Sequence, residues 1–331
     1  MSHEILTRPI GKSGIEASVV GLGTWAIGGW MWGGTEEKQS IAAIRESIDA
    51  GVSLIDTAPA YGKGLSETIV GKAIDGRRDK VVLATKCGLV WHTQKGNHFF
   101  DYDGQPVHRY LGKESIIYEV EESLARLKTD YIDLYITHWQ DPTTPVSETL
   151  EALELLKAQG KIRSIGASNV SAVDLQAYVA AGQLDAIQEE YSMVKRDIET
   201  SLLPICAAHG VSMLSYSSLA LGLLSGKIGP DRTFSGDDQR KDNPRFSIAN
   251  REKVARLMAA LAPIAGHHRA THAQIVIAWT VQQPGITFSL CGARNPEQAR
   301  ENARAGAIRL TPEELNLISE AARTHLTELD G

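Results

Sequence analysis

The chain has 331 residues, of which 43% are hydrophobic and 22% charged, and its formal net charge is −6 at pH 7. This composition is typical of a soluble globular enzyme and argues against a broad basic surface for nucleic acid. No apolar stretch reaches the roughly 18 residues that span a bilayer, and the N-terminus lacks a basic segment followed by an apolar core, so neither a membrane span nor a signal peptide is expected.

The three cysteines are far apart in the chain, at Cys87, Cys206 and Cys291. Their number is odd and their spacing matches neither a disulfide framework nor a set of metal ligands. The sequence therefore predicts no metal site, and a reducing, cytoplasmic location is expected.

From the N-terminus onward, short β-rich runs alternate with longer segments that have apolar residues at three- and four-residue spacing. That spacing predicts amphipathic helices, as at Ile41, Ile44 and Ile48. The β-rich runs predict eight strands, at residues 19–23, 52–56, 81–86, 131–138, 162–167, 186–189, 212–216 and 287–291.

The residues between these runs predict where helices begin and end. Gly51, Gly160 and Gly210 stand at expected helix ends, because glycine accepts the left-handed capping conformation. Ser171 with Asp174, and Thr311 followed by Pro312 and Glu314, have the pattern of helix N-caps.

Eight strands alternating with helices predict an α/β fold, namely a closed (β/α)8 TIM barrel that forms a single domain over residues 1–331. The competing interpretation is a doubly wound open sheet. Its glycine fingerprint, G-x-G-x-x-G, is not matched by residues 21–26 (GLGTWA), so the barrel is favoured.

Three segments exceed a minimal barrel. Residues 6–17 contain a Gly-Lys-Ser-Gly turn between apolar pieces, which predicts an N-terminal hairpin that plugs the bottom of the barrel. Residues 87–112 and 220–247 predict long loops at the C-terminal face, where such loops carry specificity or act as lids. Within the second, residues 229–243 are expected to be a mobile surface insertion unless a ligand orders them.

Four polar side chains follow predicted strands at the same end of the barrel: Asp56, Tyr61, Lys86 and His138. In a parallel barrel the C-terminal ends of the strands converge on one mouth, so these groups are expected to share a pocket. A protonated lysine beside a tyrosine is expected to lower the tyrosine pKa, and a carboxylate would keep that lysine charged. Such a set can protonate a carbonyl oxygen while a hydride reaches its carbon.

Each of the four also has an interpretation that involves no such chemistry. Asp56 can be a turn or cap former, Tyr61 can belong to a glycine-rich turn, and His138 can be a structural histidine. Lys86 can be a surface lysine or the Schiff-base lysine of a barrel aldolase. Their joint position favours the proton-transfer site.

The motifs around these residues resemble those of the aldo-keto reductase family, over nearly the whole chain from about residue 6 to about residue 308. They are residues 56–67 (DTAPAYGKGLSE), 84–86 (ATK), 133–139 (DLYITHW) and 160–169 (GKIRSIGASN). The bacterial branch of inositol-operon and general-stress oxidoreductases is the most similar. The resemblance implies that Tyr61 is the general acid/base, that Lys86 and Asp56 tune it, and that His138 orients the carbonyl.

The resemblance also implies an NADPH site across the barrel mouth, with Arg294 on the 2′-phosphate; NAD is the less favoured cofactor. The chain has Ser218, Cys291 and Gln298 where relatives usually have proline, proline and arginine. The implied cofactor-binding residues are Gly23, Thr24, Trp25, Asp56, Ser168, Asn169, Gln188, Tyr216, Ser217, Leu219, Leu221, Gly222, Leu224, Lys227, Gly292, Ala293, Arg294, Gln298, Glu301 and Asn302.

Trp25, Trp91 and Trp139 are expected to form apolar walls for a small-molecule substrate. The leading hypothesis is an NADPH-dependent oxidoreductase that acts on an aldehyde or ketone, or on an alcohol or sugar in reverse. The alternatives are a regulatory subunit that senses cofactor redox state and a Schiff-base aldolase that uses Lys86. The substrate, the direction of reaction and any homo-oligomer stay open.

Overall fold

A computed structural model describes residues 4–236, 238–327 and 329 of the chain. Eight parallel strands close into a barrel in which each strand pairs with the next one along the chain, apart from the small sheet that interrupts this order. The predicted (β/α)8 barrel is therefore confirmed. The strands are β1 Thr7–Pro9, β2 Glu16–Ser18, β3 Val20–Gly23, β4 Leu54–Asp56, β5 Val82–Cys87, β6 Leu89–Val90, β7 Asn97–Tyr102, β8 Gln105–Arg109, β9 Ile132–Thr137, β10 Ile162–Ser168, β11 Ala186–Glu190, β12 Ser212–Tyr216 and β13 Phe288–Gly292.

Helices surround the barrel and cover its strands, which are buried on both faces as parallel strands usually are. Within the described residues, no helix combines the length and apolar character that crossing a membrane requires. The helices are α1 Glu37–Asp49, α2 Leu65–Ala73, α3 Lys113–Leu127, α4 Val146–Ala158, α5 Ala172–Ala181, α6 Ile198–Ser201, α7 Leu203–His209, α8 Ile248–His267, α9 His272–Val281, α10 Pro296–Ala305 and α11 Pro312–His325.

The eight barrel strands, β3, β4, β5 and β9 to β13, coincide with the eight predicted runs to within two residues at each end. The predicted N-caps are also found, because Ser171 and Thr311 each form a complete capping box with the acid three residues later. Gly51, Gly160 and Gly210 all have positive φ just beyond a helix. Local sequence signals therefore set the main elements.

The N-terminal hairpin, β1 and β2, closes the bottom of the barrel as predicted. Ile10 and Ile15 are buried among barrel-interior side chains such as Leu134 and Phe288. The backbone N–H of Gly11 donates to Ser212 Oγ at 2.8 Å, which anchors the turn at the start of β12. The bottom is therefore sealed, and the opposite end is the open mouth.

Residues 87–112 are not a simple long loop. They fold into an antiparallel sheet with the order β6-β8-β7, which lies at the C-terminal end of the barrel. Its strands bring Phe99 and Phe100 against Trp30 and Trp139, with ring centroids 5.3 Å (Trp30–Phe100) and 5.0 Å (Phe99–Trp139) apart. The insertion thus forms one wall of the mouth.

Candidate active site

A cavity of about 670 Å³ opens at the C-terminal end of the barrel. Most of the predicted site residues line it together: Gly23, Trp25, Asp56, Tyr61, His138, Trp139, Ser168, Asn169, Gln188, Tyr216, Ser217, Leu219, Leu221, Gly222, Lys227, Gly292, Arg294, Gln298, Glu301 and Asn302. The aromatic residues of the lining come mainly from the segment after β3 and from the small sheet, whereas the cationic residues come from the loops after β12 and β13.

Lys86 is fully buried behind the lining residues Asp56 and Tyr61, and its ammonium group is surrounded by oxygen atoms. Lys86 Nζ lies 2.8 and 2.9 Å from the two carboxylate oxygens of Asp56 and 2.8 Å from the carbonyl oxygen of Thr57. Burial alone would lower the pKa of Lys86, but Asp56 and Tyr61 together outweigh it and raise that pKa, so the amine stays charged.

The hydroxyl of Tyr61 lies 3.2 Å from Lys86 Nζ, so two groups that are 25 residues apart in sequence meet at strand ends. Because the lysine donates this hydrogen bond, the phenol's own proton is free to point into the cavity. Burial raises the pKa of Tyr61 above its ordinary value, and Lys86 opposes this only in part. Lys86 thus lowers the pKa of Tyr61 as expected, but burial has the larger effect, so Tyr61 holds its proton at neutral pH.

His138 lies beside Tyr61, with ring centroids 5.7 Å apart and the two planes nearly perpendicular. Burial lowers the pKa of His138 well below its usual value, and the charge of Lys86 lowers it further. The imidazole is consequently neutral at physiological pH and can donate one ring N–H to a substrate oxygen without competing for the transferred proton.

Hydrogen bonds connect this tetrad to the residues predicted for the nicotinamide end. Gln188 Nε2 donates to Asp56 Oδ2 at 2.9 Å, and Asn169 Nδ2 donates to the carbonyl of His138 at 2.9 Å. Tyr216 Oη in turn donates to Asn169 Oδ1 at 2.8 Å. The amide and aromatic side chains are thus held in place before any ligand arrives.

At the far end of the cavity, long-range contacts join the last loops. Lys227 Nζ and Glu301 Oε2 form an ion pair at 2.6 Å, between the loop after β12 and helix α10. Arg294 donates to the carbonyl oxygens of Trp32 and Gly34 at 3.0 and 2.8 Å, which ties the loop after β13 to the loop after β3. These contacts bridge the cavity.

The segment 229–243, of which residue 237 lies outside the described part, was expected to be a mobile surface insertion, and two of its arginines face the cavity. Arg232 and Arg240 both line the cavity, and Arg240 is fixed by Asp238 and lies 5.3 Å above the ring of Trp32. Sequence reasoning missed both arginines. The available signal was the presence of these two arginines within about 15 residues of a predicted phosphate-binding loop.

Five predicted site residues are not among the lining residues, and one of them is Lys86, which lies buried behind Asp56 and Tyr61. Thr24, Leu224 and Ala293 are buried in the surrounding core, where Thr24 donates a hydrogen bond to the carbonyl oxygen of Asp56. Trp91 also lies off the cavity, and the small sheet offers Phe99 and Phe100 in its place. Trp91 was expected from a loop path that the sheet does not follow.

Cys291 lines the cavity in the position of the usual proline and is 3% exposed. Burial raises the pKa of its thiol to about 12, with a small opposing effect from Ser289. The group is therefore a neutral, small apolar filler rather than a reactive thiolate.

The donor set suits a nucleotide cofactor. Within the described residues, Trp32 Nε1 and Glu301 Oε1 are buried without a hydrogen-bond partner, and both residues line the cavity. A buried donor and a buried acceptor are costly unless something bonds to them. A polar ligand with both kinds of group, such as a nucleotide, satisfies them.

Comparison with known proteins gives a consistent picture. Residues 19–323 match the aldo/keto reductase family. The chain is 45% identical over 292 residues to the aldo-keto reductase YhdN of Bacillus subtilis, covering 87% of this chain and 85% of that protein. It is 41% identical over 320 residues to the NADH-specific methylglyoxal reductase of Escherichia coli, covering 95% and 97%.

Solved structures show the same relationship. The glycerol dehydrogenase AKR11B4 from Gluconobacter oxydans superposes with a TM-score of 0.86 at 36% identity, over 96% of this chain and 95% of that chain. An aldo-keto reductase from Klebsiella pneumoniae, solved in complex with NADPH, superposes with a TM-score of 0.71 at 30% identity over the full length of both chains.

Proposed function

The chain belongs to the aldo/keto reductase family and is an oxidoreductase, and on that premise we propose that it is an NADPH-dependent carbonyl reductase with Tyr61 as the general acid. A bound reduced nicotinamide supplies a hydride to the carbonyl carbon. Tyr61 donates its proton to the carbonyl oxygen, and neutral His138 orients that oxygen by a hydrogen bond. The reverse oxidation of an alcohol or sugar uses the same groups.

The observation that carries this proposal is the contact between Tyr61 and Lys86. Lys86 donates to the phenol oxygen at 3.2 Å, so the ammonium stabilises the phenolate that remains after proton transfer. Asp56 keeps the amine charged, and burial keeps the phenol protonated beforehand. Tyr61 therefore stays protonated until a substrate oxygen takes its proton, and Lys86 then stabilises the negative charge that remains on the phenolate.

NADPH is favoured over NADH because cations are concentrated at the far end of the cavity. Lys227, Arg232, Arg240 and Arg294 line it, and two acids, Glu301 and Asp238, pair with Lys227 and Arg240. Guanidinium groups bind phosphate through paired, charge-assisted hydrogen bonds, which suits the additional 2′-phosphate. The NADPH complex of the Klebsiella relative supports this preference, and the NADH-specific relative makes a direct test necessary.

The decisive experiment combines cofactor binding with turnover in Tyr61→Phe. Removing only the hydroxyl should lower kcat by about 10²- to 10⁴-fold, the range that general acid catalysis contributes, while the Kd for NADPH changes less than about threefold. Quenching of tryptophan fluorescence measures binding, and NADPH oxidation with a panel of aldehydes measures turnover. Wild-type-like turnover in this variant would refute the assigned role.

The two alternative functions find no specific support. All the hydrogens of Lys86 Nζ face oxygen acceptors and its pKa is raised, whereas a Schiff-base amine must be neutral. A regulatory role would leave the tetrad without a task. Turnover of wild-type protein with any carbonyl in the panel separates this alternative from the enzyme.

A further inference from the structure

Away from the barrel mouth, two histidines converge on one carboxylate. His267 and His268 stand at the C-terminal end of α8, and Glu314 lies in the first turn of α11, 46 residues further along. His267 Nδ1 lies 2.9 Å from Glu314 Oε1, and His268 Nε2 lies 3.0 Å from each carboxylate oxygen. The proposed reductase chemistry involves none of these groups, and the role already assigned to Glu314 is to cap the start of α11.

We propose that His267, His268 and Glu314 form a binding site for a divalent first-row transition cation, and that Zn²⁺ is the preferred cation. The three donor atoms all lie within 4.8 Å of one another. Tetrahedral zinc with ligand bonds of 2.0–2.2 Å separates neighbouring donors by about 3.3 Å. The two distances from a histidine nitrogen to a carboxylate oxygen, 2.9 and 3.0 Å, are already close to that spacing.

The chemistry of the donors selects the class of cation. Two imidazole nitrogens and a carboxylate favour Zn²⁺, Ni²⁺ or Cu²⁺ over Mg²⁺ and Ca²⁺, which prefer all-oxygen sites. Each imidazole nitrogen that faces the carboxylate carries an N–H in that contact. To bind a cation, each neutral ring would carry its proton on the other ring nitrogen and offer the lone pair of the facing nitrogen to the cation.

The surroundings allow binding without loss of structure. The side chain of His267 is 71% exposed, while those of His268 and Glu314 are 17% and 12% exposed. A cation from solvent can therefore reach the largely buried pair of His268 and Glu314 from the side of His267. The backbone N–H of Thr311 donates to Glu314 Oε2 at 2.9 Å, so the carboxylate is held in place at the start of α11.

A bound cation would tie the C-terminal helix α11 to α8, because each helix supplies part of the site. These two helices pack against each other at the surface of the barrel. Since a preformed site of this kind is absent from the unfolded chain, cation binding is expected to stabilise the fold.

The test is calorimetric titration of zinc chloride into the full chain, prepared without a polyhistidine tag, at pH 7.5. We expect one saturable site, together with a melting temperature that rises with zinc concentration. His268→Gln should weaken binding at least about tenfold, since loss of even an outer partner of a metal ligand costs that much, and it should remove the thermal shift.

Two further variants separate the site from general zinc binding. Glu314→Gln removes the charged ligand but keeps a capping glutamine, as Gln274 does for Thr271 in α9, so the helix should remain intact. His209→Gln removes an exposed histidine at the end of α7 and should bind zinc as the wild type does. No saturable binding by the wild type, or undiminished affinity in His268→Gln, would overturn the proposal.

Discussion

The two ends of the cavity are built in different ways. The proton-transfer end consists of side chains on or just after β4, β5 and β9, and its central group, Lys86, is fully buried. The cofactor end is assembled from loops, and its contacts join side chains to distant backbone, as in the hydrogen bonds from Arg294 to Trp32 and Gly34. The strand ends hold the proton-transfer side chains in fixed positions. Changes in the loops can therefore alter cofactor affinity without moving those side chains.

The largest expected effect concerns the rigid end. Lys86→Met should lower kcat by about 10²- to 10⁴-fold, because the phenolate of Tyr61 loses its stabilising charge. It should also destabilise the fold by about 3–5 kcal/mol, since Asp56 is left as a buried charge without its cation. Steady-state kinetics and urea unfolding measure the two effects.

The double variant Asp56→Asn/Lys86→Met separates these effects. It removes both charges of the buried pair, so much of the lost stability should return while activity stays low. Recovery of turnover along with stability would mean that Lys86 acts only by stabilising the fold. The claim that the strand-end residues fix the proton-transfer chemistry would then be wrong.

Sequence patterns predict the rigid end well because its residues directly follow strands. Asp56, Lys86 and His138 could be placed from strand periodicity alone, since parallel strands share a common end. Arg240 and Phe99 could not be placed in this way, because their positions depend on loop tertiary contacts with Trp32 and Trp139. Trp91 was misplaced for the same reason.

The second prediction uses a buried acid behind β5. Glu119 accepts hydrogen bonds from Gly88 N at 2.9 Å and from Ser115 Oγ at 3.1 Å, and burial raises its pKa to about 8. The folded state therefore holds this proton more tightly than the unfolded state, whose pKa is about 4.3. Its contribution to stability is complete below about pH 4.3 and is lost as pH rises through about 8.

Glu119→Gln should remove this loss, because the amide cannot ionise. Urea unfolding should show a variant about 1–4 kcal/mol more stable than wild type at pH 8.5, with little difference at pH 5. Glu122→Gln, on the same helix and half exposed, is the matched control and should leave the pH profile unchanged. If the free energy of unfolding of Glu119→Gln changes with pH in parallel with that of the wild type, Glu119 is ionised in the folded chain.

The third prediction concerns the loop-built end. Arg294→Met should raise the Kd for NADPH by about 10- to 100-fold, the equivalent of a charge-assisted hydrogen bond, and raise the Kd for NADH much less. The value of kcat at saturating cofactor should stay near that of the wild type. Arg300→Met is the control, because this arginine of α10 pairs with Glu46 outside the cavity.

If Arg294→Met raises the Kd for NADPH and the Kd for NADH by the same factor, Arg294 has a different role. Arg294 would then act by holding the carbonyls of Trp32 and Gly34, and it would not read the 2′-phosphate. The preference for NADPH would lose its principal support, and the similarity to the NADH-specific relative would become the better guide.

The smallest expected effect is at the ion pair that bridges the cofactor end. Lys227 is 58% exposed, so its pairing with Glu301 is worth at most about 1 kcal/mol, and Lys227→Met should raise the Kd for NADPH only about two- to fivefold. The difference should shrink in 0.5 M salt, because ions screen an exposed charge near a phosphate. Lys113→Met removes an exposed, paired lysine on α3, outside the cavity, and should change nothing. A loss of NADPH affinity as large as that expected for Arg294→Met would mean that this ion pair is a principal contact for the cofactor. The loop residues would then be as sensitive to substitution as the residues at the strand ends.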